Sequence, residues 1–207
     1  MTVQYFLELI GTFVFAISGA LAVKGKGHDW LAAGITGFIT AIGGGTLRDL
    51  LLDRHPLVWM EDTLIIYVVI ASIVFTYFFS ETLARLRRTL LLFDTLGIAV
   101  FTVVGTEIAL AEGMHPIVAA AMGMISAVMG SVIRDTLTNN TPVILKRDMY
   151  ASTCLIGAAM YIGLHTFIEF RDLNAVLSAC VIAALRLLAE NYHWKFPSFD
   201  KESESLN

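Results

Sequence analysis

Gly43-Gly44-Gly45-Thr46-Leu47-Arg48-Asp49 returns 86 positions later as Met129-Gly130-Ser131-Val132-Ile133-Arg134-Asp135. The same frame holds well beyond these stretches. Glu8 meets Asp94, Gly11 meets Gly97, Phe15 meets Phe101 and Gly19 meets Gly105. Gly27 meets Gly113, and Ala33, Gly37, Ile39 and Ala41 meet Ala119, Gly123, Ile125 and Ala127. Pro56 meets Pro142, and Asp62 meets Asp148, with no gap anywhere between Glu8 and Asp62. Apolar matches arise by chance in apolar chains, but glycine, proline and an Arg-Asp pair in one frame do not. The chain therefore reads as an internal duplication.

Each copy is too apolar to fold in water alone. The 207 residues are 57% hydrophobic and only 15% charged, and the mean hydropathy is +0.73; soluble domains carry roughly 25% charged residues. A helix needs about 20 mostly apolar residues to cross the hydrocarbon core. Such runs predict spans at 4–23, 30–51, 62–80, 90–111, 116–137, 149–168 and 173–191. The breaks between them are polar or carry proline: Lys24 to Asp29, His55-Pro56, Arg85 to Arg88, Glu112 to Pro116, Thr138 to Pro142 and Arg171-Asp172. The first run is read as a retained helix rather than a signal peptide, because no Lys or Arg precedes it, Glu8 interrupts it, and it has a twin inside the chain.

The predicted architecture is thus an all-α membrane protein of seven transmembrane helices. It comprises one three-helix repeat over 1–84, a second and inverted repeat over 85–170, a seventh helix over 171–194 and a polar tail over 195–207. Because each repeat has an odd number of spans, the second enters the bilayer from the opposite face, a recurring plan in transport proteins. One set of loops collects Lys24, Lys26, Arg85, Arg87, Arg88, Lys146, Arg147 and Lys195, and the other only Arg54 and Arg171. The positive-inside rule makes the first set cytoplasmic, with the N-terminus outside and the C-terminus inside a plasma (inner) membrane.

The glycines of the quoted stretch admit two readings. A bend at Gly43 to Gly45, and at Gly130, would turn backbone carbonyls and a half-helix end toward a cation in a watery interior. Alternatively, the ladders Ala33-Gly37-Ala41-Gly45 and Ala119-Gly123-Ala127-Ser131 let helix backbones approach closely. The run is not a phosphate-binding loop, since no Gly-Lys-Ser/Thr follows it.

Charges inside a bilayer are costly and tend to face an interior. Arg48 lies about 27 Å along its span, close to the far interface, so Arg48-Asp49 also fits a plain helix-end pair. The repeat points to more: Glu8 with Arg48, and Asp94 with Arg134, predict two equivalent ion pairs framing the two mouths of one path. Arg186 reads as a packing or snorkelling residue of the last span, and Glu107 has no acidic twin because Leu21 holds the matching place. Cys154 and Cys180 read as small apolar packing residues, and the histidines show no metal spacing. No nucleophile–base constellation, metal cluster or nucleic-acid surface is evident, so neither an enzyme nor a cofactor is expected.

Together, Gly43 to Asp49 and Gly130 to Asp135 resemble the paired signatures of the prokaryotic trimeric intracellular cation (TRIC) channels, a family also described as carrying two glycine-transporter-type domains. The resemblance spans residues 5–191. It implies a homotrimer in the bilayer with a pore inside each seven-helix protomer. The permeant ions would be K⁺ and Na⁺, bound lipid would be compatible, and the pore would be lined by kinked second and fifth helices. Thr40, Thr46, Ser126 and Ser131 offer hydroxyls to such a path, and Asp49, Asp135, Glu8 and Asp94 would neutralise Arg48 and Arg134. The departures are Met129 opposite Gly43 and Ser131 opposite Gly45, which imply a gentler second bend. A secondary transporter of glycine or another small solute uses the same architecture and is the alternative; a non-conducting scaffold is a third.

Overall fold

The computed structural model describes residues 2–85, 89–145, 149–165, 170–192 and 194, and it is helical throughout. Chain order gives α1 (Val3–Ala22), α2 (Trp30–Leu51), α3 (Val58–Glu61), α4 (Thr63–Arg85), α5 (Thr89–Ala111), α6 (Pro116–Leu137), α7 (Ala151–His165) and α8 (Arg171–Asn191), with a 3₁₀ turn at Val143–Leu145. Six of these, all but α3 and α7, are long and apolar enough to cross a membrane. The chain is a multi-pass membrane protein. Among the basic residues assigned above to one side, Arg87, Arg88, Lys146, Arg147 and Lys195 lie outside the described residues, as do Asp148 and the tail from 195 onward.

Local chemistry sets the helix ends. The Asp29 carboxylate accepts from the Ala32 amide at 2.8 Å and caps α2, while Pro116 opens α6, where its missing N–H costs nothing. Gly27 and Gly113, at φ +75° and +76°, make the left-handed turns that lead into α2 and α6. Each of those helices then stops in the same way. Asp53 and Asn139 adopt positive φ, and the amides of Arg54 and Asn140 return to the Asp49 and Asp135 carbonyls, each at 2.8 Å. The duplicated sequence has produced duplicated turns.

α1 and α5 form the centre and run antiparallel. A Cβ on Gly11 would touch the Phe101 ring at 2.9 Å, and one on Gly97 would touch Phe15 at 2.3 Å. Phe15 and Phe101 stack on each other, centroids 5.2 Å apart and planes 12° apart. A residue packed on its own repeat partner lies at a local two-fold relation, as in an isologous interface. α2 and α6 cross in the same reciprocal fashion: a Cβ on Gly44 would sit 1.9 Å from the Ser126 carbonyl oxygen, and one on Gly130 2.6 Å from that of Thr40. These glycines permit backbone contact, and both helices continue unbroken through them. The close crossing of the second reading is what these contacts show.

α4 packs on α1 and α2, α7 on α5 and α6, and α8 fills the side of α5 and α7. The loops tie the copies together. Lys26 bonds the Thr138 carbonyl and, at 2.9 Å, the Asn140 amide oxygen; in the equivalent place Arg54 pairs with Glu112 at 3.0 Å.

Three details differ from the expected spans. The α3 turn precedes the third span, because Leu57 to Glu61 folds back under α2 instead of extending as loop. α7 has 15 described residues against the 20 predicted for 149–168, with 166–169 outside the described set. Cys154 is buried as expected, whereas Cys180 is exposed on the outer face of α8.

Candidate functional site

The two ends of the α2–α6 crossing carry matching charged groups, because the helices are antiparallel and each brings an Arg-Asp pair to its last turn. Arg48 is fully buried. Its Nε donates to Asp49 at 2.8 Å, and its terminal nitrogens reach the Glu8 carboxylate at 3.4 and 3.3 Å. The second Asp49 oxygen accepts from the Val58 amide at 3.3 Å, which fixes the start of α3. Glu8, Thr12, Gly45, Thr46, Arg48 and Asp49 line a cavity of about 20 Å³, room for about one water. Trp59 bounds it from α3, donating its indole N–H to the Thr46 hydroxyl at 3.1 Å.

Arg134 repeats the pattern with tighter contacts. Its Nε donates to Asp135 at 2.9 Å, and one terminal nitrogen donates to Asp94 at 2.7 Å and to the Ser18 hydroxyl at 2.6 Å. Asp135 accepts from the Val143 amide at 3.3 Å, the counterpart of the Val58 contact. Asp94 is further held by the Tyr150 hydroxyl at 3.2 Å, which also bonds Ser131. The Arg186 guanidinium lies over the Tyr150 ring, 4.4 Å from its centre. Here the cavity is about 190 Å³, lined by Leu90, Leu91, Asp94, Arg134, Arg186 and Glu190 among others. Each triad holds two carboxylates and one guanidinium, a formal charge of −1, and each has a further arginine beside it: Arg54, 3.7 Å from Asp49, at one end and Arg186 in the cavity at the other.

The structure thus brings Glu8, Arg48 and Asp49 together at one end, with Gly45 and Thr46 beside them, and Asp94, Arg134 and Asp135 at the other. Gly43 and Thr46 also face an apolar groove toward Met129 and Ile133 on the outside of the crossing. Thr40 and Ser126 sit deep in the crossing and line neither end cavity. The Thr40 hydroxyl is turned back onto the Thr36 carbonyl at 2.6 Å, and the Ser126 hydroxyl has no hydrogen-bond partner among the described residues. Ser131 contacts Tyr150 instead of an open path.

Sequence reasoning missed Trp59, Tyr150, Ser18 and the placement of Arg186. A search for repeated identities passes over the first three, since Ser18 matches Val104, Tyr150 matches Leu64 and Trp59 matches Leu145. The signal for Arg186 was available: an arginine deep in an apolar span seeks a polar interior.

The glycine transporter family matches twice, over residues 5–81 and 91–166, one match on each copy of the repeat. The chain belongs to this glycine transporter family. Among its relatives is the UPF0126 inner membrane protein YadS of Escherichia coli (strain K12), 34% identical over 197 residues, 94% of this chain and 95% of that one. The family member described here also resembles a solved TRIC trimeric intracellular cation channel orthologue from Rhodobacter sphaeroides. The TM-score is 0.88 at 34% identity, covering 93% of this chain and all of that one. A second structure, from work on conductance through TRIC cation channels, matches with a TM-score of 0.84 at 32% identity, covering 95% of this chain and 97% of that one.

Proposed function

We propose that this glycine transporter family member is a channel for monovalent cations, K⁺ and Na⁺, with one path in each protomer of a homotrimer. The observation that carries the reading is the pair of equivalent charged triads at opposite ends of one antiparallel helix crossing, each opening on a cavity. The likeness to solved TRIC cation channels supports it. A net negative triad attracts a cation, and its own guanidinium keeps that attraction weak enough for release, as conduction requires. The path runs beside the glycines of α2 and α6, whose missing side chains let those helices bend as it opens. Between the mouths, the Phe15–Phe101 stack forms an apolar constriction, a kind of barrier that gates by dewetting. The reciprocal contacts of α1 with α5 and of α2 with α6 support two inverted three-helix repeats, over 1–84 and 85–170, with α7 as the sixth span and α8 as a seventh, unpaired one. The loop charges support an outside N-terminus and a cytoplasmic C-terminus in the bacterial inner membrane.

Recording from purified protein in planar bilayers tests the function. Discrete unitary currents carried by K⁺ and Na⁺ are expected. Saturable solute uptake without unitary currents would replace the channel with a carrier, and silence in both assays would leave a scaffold. The mass of the detergent-extracted particle, less bound detergent, should be three times 22.7 kDa.

A further inference from the structure

The two mouths carry equivalent triads but not equivalent surroundings. Arg186, from the one long helix outside the duplication, reaches into the Arg134 cavity alongside Asp94. It is 1% exposed, yet among the described residues it forms no ion pair; its recorded contacts are the Met149 carbonyl at 3.3 Å and the Tyr150 ring. Its Nε is buried without a hydrogen-bond partner. A buried guanidinium normally finds a carboxylate, because an uncompensated charge is expensive to bury. Among the described residues of the cavity lining only Glu190 and Asp94 are acidic, and Asp94 is already committed to Arg134 and Tyr150. At the other mouth the second arginine, Arg54, is 34% exposed, pairs with Asp49 at 3.7 Å and Glu112 at 3.0 Å, and stands outside the cavity lining.

We propose that Arg186 is a specificity-determining residue, a fixed positive charge that offsets the −1 of the Asp94–Arg134–Asp135 triad, lowers cation occupancy of that mouth and disfavours divalent cations. This rests on the channel reading and adds the electrostatic rule of one mouth to it. Across about 10 Å of water, one unit charge changes the local concentration of a monovalent cation about twofold and of a divalent cation about fourfold. The penalty grows with ionic valence, so the same arginine selects for monovalent ions. Tyr150 holds it in place, because the ring under the guanidinium is itself pinned to Asp94 and Ser131.

The experiment compares wild type, Arg186→Gln and Arg186→Lys. In planar bilayers at 0.01 M KCl, where the screening length is about 30 Å, Arg186→Gln is expected to raise unitary conductance nearly twofold and to increase Ca²⁺ permeability relative to K⁺. At 1 M KCl, where the screening length falls to about 3 Å, the conductance difference should shrink toward none. Arg186→Lys keeps the charge and should retain the lower conductance. An Arg186→Gln conductance equal to wild type at low salt, or a difference indifferent to salt, overturns the proposal. If the wild type passes no current, the channel reading fails on its own, and the charge of the cavity is read separately. For that, Glu190→Cys in a Cys154→Ala, Cys180→Ala background reacts with cationic and anionic thiosulfonate reagents. Adding Arg186→Gln should raise the cation-to-anion rate ratio about fourfold, and adding Arg186→Lys should leave it unmoved. A ratio indifferent to both substitutions refutes the electrostatic role.

Discussion

At the scale of single residues, the triads show how a membrane interior accommodates charge. Arg134 is 2% exposed and Asp94 3%. Each has its partners at close range, so removing one leaves the other buried and unpaired. Such a loss costs about 3–5 kcal/mol. Asp94→Asn should therefore lower the unfolding midpoint in detergent strongly. Glu8→Gln should lower it less, because Glu8 is more exposed and its contacts to Arg48 are longer. Equal shifts from the two substitutions would mean that the mouths are energetically alike, against the geometry. Glycine offers a second contrast at the same scale. Gly44→Ala drives a methyl against the Ser126 carbonyl, a backbone group that cannot turn aside, whereas Gly34→Ala meets only Ile73 at 4.0 Å. The first should destabilise by about 1–3 kcal/mol through overpacking. The second should be neutral or stabilising by up to about 1 kcal/mol, from helix propensity alone. Thermal unfolding of the two variants side by side checks this.

Among the elements, the long spans were legible and the short ones were not. α2 and α6 lie where the apolar runs put them, at 30–51 and 116–137, because Asp29 and Pro116 mark their starts and polar turns close them. α3 escaped notice because four residues carry no periodicity, and what fixes the turn is the Asp49 carboxylate nine positions back in the chain. The glycines were legible only in part. Gly43-Gly44-Gly45 reads in sequence as a point where a helix can bend, and only the partner helix reveals that Gly44 also admits the Ser126 carbonyl. The pairing of Glu8 with Arg48 and of Asp94 with Arg134 was legible because the duplication presents the same pair twice. The Arg134–Ser18 bond was not, since it joins α6 to α1 across the repeats. The same cross-repeat logic governs the α1–α5 contact. Phe101→Ala removes half of the stack, at a residue that lines the small cavity beside Arg48. It should cost about 3–5 kcal/mol of stability and at the same time raise the fraction of time the path conducts. A variant that is less stable but no more conductive would move the constriction elsewhere.

For the whole molecule, the loop contacts sort the helix ends into two groups before any membrane is considered. Lys24 joins Glu81 at the end of α4, and Lys26 joins Thr138 and Asn140 after α6, so the ends of α1, α4 and α6 share one pole. Arg54 joins Glu112, and Arg171 lies 3.8 Å from Glu107, so the ends of α2 and α5 and the start of α8 share the other. Along the sequence, the stretches that follow α1, α4 and α6 carry most of the lysines and arginines that lie between the spans. By the positive-inside rule, charge asymmetry of that size is expected to orient the bundle with its basic pole in the cytoplasm. Two reporter positions follow, one at each pole and neither in a triad: Met114→Cys in the turn between α5 and α6, and Glu81→Cys near the end of α4. In a background with Cys154→Ala and Cys180→Ala, a membrane-impermeant thiol reagent added to intact cells should label Met114→Cys. It should reach Glu81→Cys only after permeabilisation. Labelling of both from outside would place the two poles on one face, and a path running from the Arg48 triad to the Arg134 triad would then connect no two compartments.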